Sequence, residues 1–186
     1  VNPAARLLIG LLLLLAAVQL GQGALIYLKA ELAQVLIARA WSSPGSARPW
    51  PWADTWPVAR LQVPGQGVDL YVLDGDQGNA LAFGPGHLRE SAAPGSDGLT
   101  VIAGHRDTHF AFLANLPDRE MLTLTNKSGT TGRYRIARRY IADIREGPLT
   151  ATGEGVLLVT CYPFDAVAPN GPLRYVVLAE PAPKIL

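Results

Sequence analysis

One cysteine, Cys161, stands in 186 residues, so no disulfide can form within the chain. In an exported domain an unpaired thiol invites oxidation and intermolecular pairing, and its retention there points to chemical use. Charge of one sign is also lacking. Sixteen Lys and Arg face fifteen Asp and Glu, a balance that leaves no electrostatic footprint for nucleic acid. No repeat recurs at a fixed period, and no long low-complexity segment is present. One cysteine and scattered histidines lack the close ligand pairs of a zinc site. Gly84-Pro85-Gly86 has no following lysine or helix and is no phosphate loop. No metal and no cofactor are expected.

Long apolar runs, by contrast, are present. Residues 1–28 hold a single charged side chain, Arg6, and Leu7–Leu28 is almost wholly apolar. At about 1.5 Å per residue this run spans roughly the 30 Å hydrocarbon core of a bilayer. A cleaved signal peptide would be shorter and end at a small-x-small site. A buried core helix would show a polar face, and Leu7–Val18 has none. Residues 1–28 are therefore expected to be an uncleaved transmembrane signal-anchor in contact with membrane lipid. Arg6 favours the N-terminus inside, although Lys29 and Arg39 weaken the asymmetry, and the rest of the chain would then lie outside the cytoplasm. Residues 29–57 read as a juxtamembrane helix, Lys29–Ala40, followed by a Pro/Trp-rich linker, WSSPGSARPWPWADTWP. Proline ends the helix there. The four tryptophans suit either an interfacial belt at lipid headgroups or anchors packed on the following domain, and the second is favoured.

From residue 58 to 181 the sequence changes character. Short apolar or alternating runs separated by Gly, Pro, Asp and Asn clusters are the signature of an all-β sandwich or barrel. Strands are expected at Val58–Val63, Val68–Leu73, Leu99–Ala103, Met121–Thr125, Gly132–Ile144, Val156–Thr160 and Leu173–Ala179, with a short helix around Phe110–Leu116. A domain of this size can bury a workable core without disulfides.

Cys161 falls at the end of the apolar run Val156–Val159, where a side chain can be partly exposed on a rigid backbone, as a nucleophile requires. If this strand and the one beginning at Leu173–Arg174 form a hairpin, Arg174 lies opposite Cys161. A guanidinium there can favour the thiolate and donate to a developing oxyanion; otherwise Arg174 is a solvated charge on a strand face. Histidine is the natural acid or base at neutral pH. His105 sits at the end of the Leu99–Ala103 strand and His109 just beyond it, and spacing alone does not choose between them. His87, in FGPGH, reads as loop structure.

The stretch LLVTC at a strand end, GHRDTHF after an earlier strand, and an arginine on the strand after the cysteine together resemble the sortases. FGPGHLRESAAPGSDGLTVIAGHRDTHF, CYPFDAV and RPWPWADTWPVARL are similar to the class D-like sortases and the form found in Gram-negative bacteria. The likeness covers Pro49 to Ala179. The family signature TLxTC is met here by Leu157-Leu158-Val159-Thr160-Cys161, with leucine in place of the first threonine, a departure that bears on subfamily more than chemistry. The resemblance implies an eight-stranded β-barrel with short helices, preceded by a transmembrane helix. It makes Cys161 the nucleophile, His105 rather than His109 the general acid/base, Arg174 the oxyanion or substrate-positioning group, and Thr160 a residue lining the substrate groove. Thr160 could equally satisfy a backbone group at the strand end. The implied activity is transpeptidation. An exported protein with an LPxTG-like sorting signal is cleaved through a thioester and passed to an amine acceptor, at the outer face of the inner membrane. A thiol hydrolase without transfer, or a non-catalytic β-domain scaffolding an envelope partner, are the alternatives.

Overall fold

The computed structural model describes residues 2–147, 149, 152–166 and 171–183; the side chains of residues 4–7, 17, 20–27 and 79 lie outside that description. The chain divides into two compact units, Val1–Leu36 and Ile37–Leu186.

Helix α1 runs without interruption from Pro3 to Ser42. Proline is tolerated at a first helical position, where its missing N–H has no intrahelical partner to lose, and the leucines and alanines that follow are strong helix formers. The juxtamembrane helix expected at Lys29–Ala40 is thus the end of one long helix. Among the described residues no helix is long and apolar enough to cross a membrane. The expected transmembrane segment is therefore not carried by the structure, and much of Leu7–Leu28 lies among the side chains outside the description.

The second unit is built on a closed eight-stranded barrel in the order β1-β2-β3-β4-β7-β8-β6-β5. The strands are β1 Pro57–Val63, β2 Val68–Asp74, β3 Gly86–His87, β4 Leu99–Ala103, β5 Met121–Asn126, β6 Thr131–Asp143, β7 Gly155–Cys161 and β8 Leu173–Pro181. Neighbours pair antiparallel except β2 with β3 and β4 with β7, which are parallel. Seven strands match the expectation to within two residues at either end. β3 has two residues, too few for any period to register, and the five-residue helix α2, Asn79–Phe83, was not foreseen either. The short helix expected around Phe110–Leu116 is a 3-10 helix at Ala111–Asn115.

Alternate residues of the strands fill the barrel: Leu61, Val63, Val72, Ile102, Leu122, Leu124, Ile136, Leu158 and Val177 form one buried cluster with Phe110 and Leu113. The opposite face of β4, β7 and β8 carries a second cluster, Leu99, Leu157, Val159 and Val176, to which Val101, Tyr140, Ala142 and Leu149 add. The central strands are therefore apolar on both faces, and read as continuous runs rather than alternating ones.

Part of the stretch read as a linker belongs to this unit. Ile37 is 1% exposed and packs in a cluster with Leu73, Ala80, Trp50, Tyr71 and Phe83. Thr55 Oγ1 donates to the Asp74 carbonyl at 2.8 Å. Lys127 Nζ donates to the Ala40 carbonyl at 2.6 Å and also to that of Trp41, placing a cation where the last turn of a helix exposes unpaired carbonyls. Three of the four tryptophans are anchored: Trp41 against Tyr71 at 5.8 Å, Trp50 edge-on to Phe83 at 4.9 Å, and Trp56 under the Arg89 guanidinium at 5.9 Å. Trp52 is 82% exposed.

Candidate active site

Every residue of β7 from Gly155 to Thr160 is buried, and Cys161 ends the strand half-buried. The strand can enter this layer because position 155 is glycine. Its φ is +136°, and a Cβ there would stand 2.2 Å from the Ala179 carbonyl oxygen.

Sheet register brings the other groups to Cys161. On one side β8 runs antiparallel, and its last pair with β7 is Cys161 with Arg174. On the other side β4 runs parallel, ending with Ala103 beside Val159. Two further bonds extend that ladder: Gly104 N donates to the Val159 carbonyl at 3.0 Å, and Thr160 Oγ1 donates to the Gly104 carbonyl at 2.7 Å. Gly104 is therefore locked against Thr160, and His105 is the next residue of its segment as Cys161 is the next of β7. Neighbouring strands lie about 4.8 Å apart, so three chemically distinct groups stand within about two strand spacings. By the two-residue alternation of strands, Cys161 and Arg174 fall on the outer face with Val159 and Val176. The row runs Arg174, Cys161, His105 across three elements.

Each group is held by its own local structure. The His105 carbonyl accepts from Phe110 N at 3.0 Å and from Thr108 N at 3.4 Å, closing a tight loop. Phe110 is fully buried beneath it, which requires glycine at 104, since a Cβ there would meet the Phe110 ring at 2.7 Å. The His105 side chain itself is exposed. Arg174 Nη1 donates to the carbonyls of Gly171, 2.6 Å, and Leu173, 3.0 Å, anchoring the guanidinium to the start of β8. Tyr162, Phe164 and Tyr175 cluster where β7 ends, on the side of the interior cluster, with Phe164 and Tyr175 rings 5.3 Å apart and Tyr162 and Tyr175 stacked at 6.2 Å.

The structure pairs Cys161 with Arg174 and ties Gly104, the residue before His105, to the end of β7. Thr160 is placed differently from the groove-lining position the resemblance implied. Its side chain is 2% exposed, and its hydroxyl is spent on Gly104, so it ties the cysteine strand to the histidine strand. His109 lies close enough to His105 to feel its charge. Burial first, and that charge second, hold the His109 imidazole below its ordinary range. His87 is buried on β3, its Nε2 within reach of the Ala92 carbonyl at 3.0 Å and Ser91 Oγ at 3.2 Å, a structural role. Sequence reasoning missed Arg106, which is 8% exposed. Its guanidinium donates to the carbonyls of Pro163 at 2.8 Å and Ala166 at 2.6 Å. The one signal available was an arginine next to His105 and four residues before a core phenylalanine, a weak one.

A closed barrel whose β7 ends in a cysteine paired with Arg174, tied to the segment that opens the His105 loop, defines the class of fold, and comparison with known proteins supplies the family. A family model described as Sortase domain matches residues 61–182. Sortase D of Bacillus subtilis (strain 168) is 32% identical over 123 residues, covering 64% of this chain and 61% of that protein. The chain thus spans about three-fifths of the length of that relative. Among solved structures, a Clostridium perfringens Sortase D5 transpeptidase superposes with TM-score 0.64 at 17% identity, over 82% of this chain and 99% of its own. Sortase A from Corynebacterium diphtheriae, as a lid mutant, gives 0.61 at 21% identity over 87% and 95%. Sortase C-1 from Actinomyces oris gives 0.56 at 24% over 68% and 75%. These three likenesses show the fold. The chain belongs to the sortase family.

Proposed function

We propose that this sortase is a class D-like cysteine transpeptidase acting on an LPxTG-like sorting signal near the C-terminus of an exported protein. The observation that carries it is the register pairing Cys161 with Arg174, flanked on the other side by the extended β4 ladder that ends at Gly104, directly before His105. The Cys161 thiolate attacks the carbonyl carbon between Thr and Gly of the signal. Arg174 donates to the oxyanion of the tetrahedral intermediate. As the C–N bond breaks, protonated His105 gives its proton to the leaving amine, and a thioester to Cys161 remains. An acceptor amine then attacks the thioester, His105 takes its proton, and the C–S bond breaks to restore the thiolate.

The same reading places the domain on the outer side of the inner membrane, tethered by the N-terminal helix. Support comes from the length and apolarity of Leu7–Leu28 and from Leu8 and Leu11–Leu15, each between 55% and 66% exposed on that helix. The reaction test uses the full chain in mild detergent with an LPxTG-containing peptide, with and without triglycine as amine. Amide product that disappears in Cys161→Ala, and falls by about 10²–10⁴ in His105→Ala, is the expected result. Free acid alone would indicate hydrolysis without transfer, and activity surviving both substitutions would remove the cysteine chemistry. Membrane attachment is read by whether the native chain stays in the membrane fraction through carbonate extraction.

A further inference from the structure

Arg106 is the buried charge whose placement the reaction above leaves unused. Its side chain is 7% exposed, and its near neighbour Asp107, 3.3 Å from Nε, is mostly in water. Burying a guanidinium costs free energy unless its donors are matched, and an apolar residue of similar volume would serve packing equally well. Here the donors are spent on two carbonyls 57 and 60 residues further along the chain. Both belong to the turn that leaves Cys161, two and five residues beyond it, where Ala166 N also closes on the Pro163 carbonyl at 3.4 Å. Arginine's planar fork can hold two acceptors at once, which a lysine ammonium on a flexible stem does poorly.

This links the two loops on either side of the thiol. The backbone of Arg106 directly follows His105, while its side chain holds the turn that presents Phe164 against Tyr175 and Tyr162. The placement of His105 beside Cys161 does not depend on this link, because it is set by the Gly104 and Thr160 bonds one strand-layer away. We infer that Arg106 is a positioning residue that fixes the turn at Pro163–Ala166 against the His105 loop and so sets how tightly the peptide substrate is held over Cys161. The inference rests on the cysteine chemistry proposed above. Its signature is a split between binding and chemistry: loosening the turn weakens the hold on an extended peptide and leaves the thiol, imidazole and their spacing in place.

The test compares the full chain with Arg106→Met and Arg106→Lys in cleavage of an LPxTG-containing peptide, together with the pH profile of Cys161 alkylation by iodoacetamide. Arg106→Met is expected to raise KM about tenfold or more with kcat changed less than about threefold, and with an unmoved alkylation profile. Arg106→Lys is expected to recover part of that KM. Amide hydrogen exchange at Phe164–Ala166 should quicken in Arg106→Met and partly recover in Arg106→Lys. An unchanged KM in both variants, or a loss confined to kcat, would overturn the inference. If Arg106→Met does not fold, Arg106→Lys decides alone: KM raised about threefold or more supports the role, and parental KM ends it. If the parent chain does not cleave the peptide, the proposed function fails by itself, and the exchange rates still report whether Arg106 holds the turn.

Discussion

Strands β7 and β6 lie on either side of β8 and are built in opposite ways. β7 has seven residues, six of them buried and none charged, pressed between two apolar clusters. β6 has thirteen, only one of them buried, with the rest exposed or half-buried, and carries Arg133, Arg135, Arg138 and Arg139. The short strand presents Cys161 at its last residue, whereas the long one turns its arginine-rich face to water. The contrast shows where a reactive side chain gains a fixed backbone: at the exposed end of an element that cannot shift without opening the core on both faces.

The comparison breaks most visibly by substitution within each strand. Leu158→Ala in β7 is expected to cost about 2–5 kcal/mol through lost burial and the cavity left behind, while Arg133→Ala in β6 stays within about 0.5 kcal/mol. Urea unfolding of the two variants checks this, and similar costs would dissolve the distinction. Next in size is Thr160→Val, which keeps the shape and removes the bond to Gly104. The buried carbonyl left behind costs about 1–3 kcal/mol. Because that bond sets His105 beside Cys161, kcat for the peptide should fall while KM holds, the opposite split to Arg106→Met.

The smallest effect is one of pH. His109 is held below its ordinary value of 6.5, by burial first and by the His105 charge second. The unfolded chain therefore takes up this proton before the folded one does. Stability should fall as pH drops through about 6.5 and stop falling once the folded-state imidazole is also protonated. His109→Gln should flatten that part of the curve measured by thermal unfolding between pH 7.5 and 5.5. Partial exposure of the ring screens the effect, so the change in slope is modest. An unchanged slope would count against a buried neutral His109.

Much of this was legible beforehand because strand periodicity and strand ends are written locally. The run Val156–Val159 announced β7, and the hairpin rule paired Cys161 with Arg174. β3 was invisible because two residues carry no period, yet it completes the order between β2 and β4. The parallel pairing of β4 with β7 was equally hidden, because nothing in either segment encodes a partner more than fifty residues away. That pairing ties Gly104, just before His105, to the strand that ends in the thiol; the choice of His105 over His109 rests on the resemblance alone. Thr160 and Arg106 were hard to read for a related reason. A hydroxyl or guanidinium looks the same in sequence whether it meets solvent, substrate or a distant carbonyl, and here both meet carbonyls of loops flanking the site.

The central claim is that Cys161, at the end of β7, becomes acylated by the substrate. The direct measurement is intact-mass analysis of the full chain, quenched in acid after mixing with an LPxTG-containing peptide and no added amine. The account predicts an adduct equal to the peptide's N-terminal fragment through Thr, mapped to Cys161, released by hydroxylamine and absent in Cys161→Ala. Peptide cleavage that proceeds undiminished in Cys161→Ala, or an adduct mapped to another residue, would contradict it.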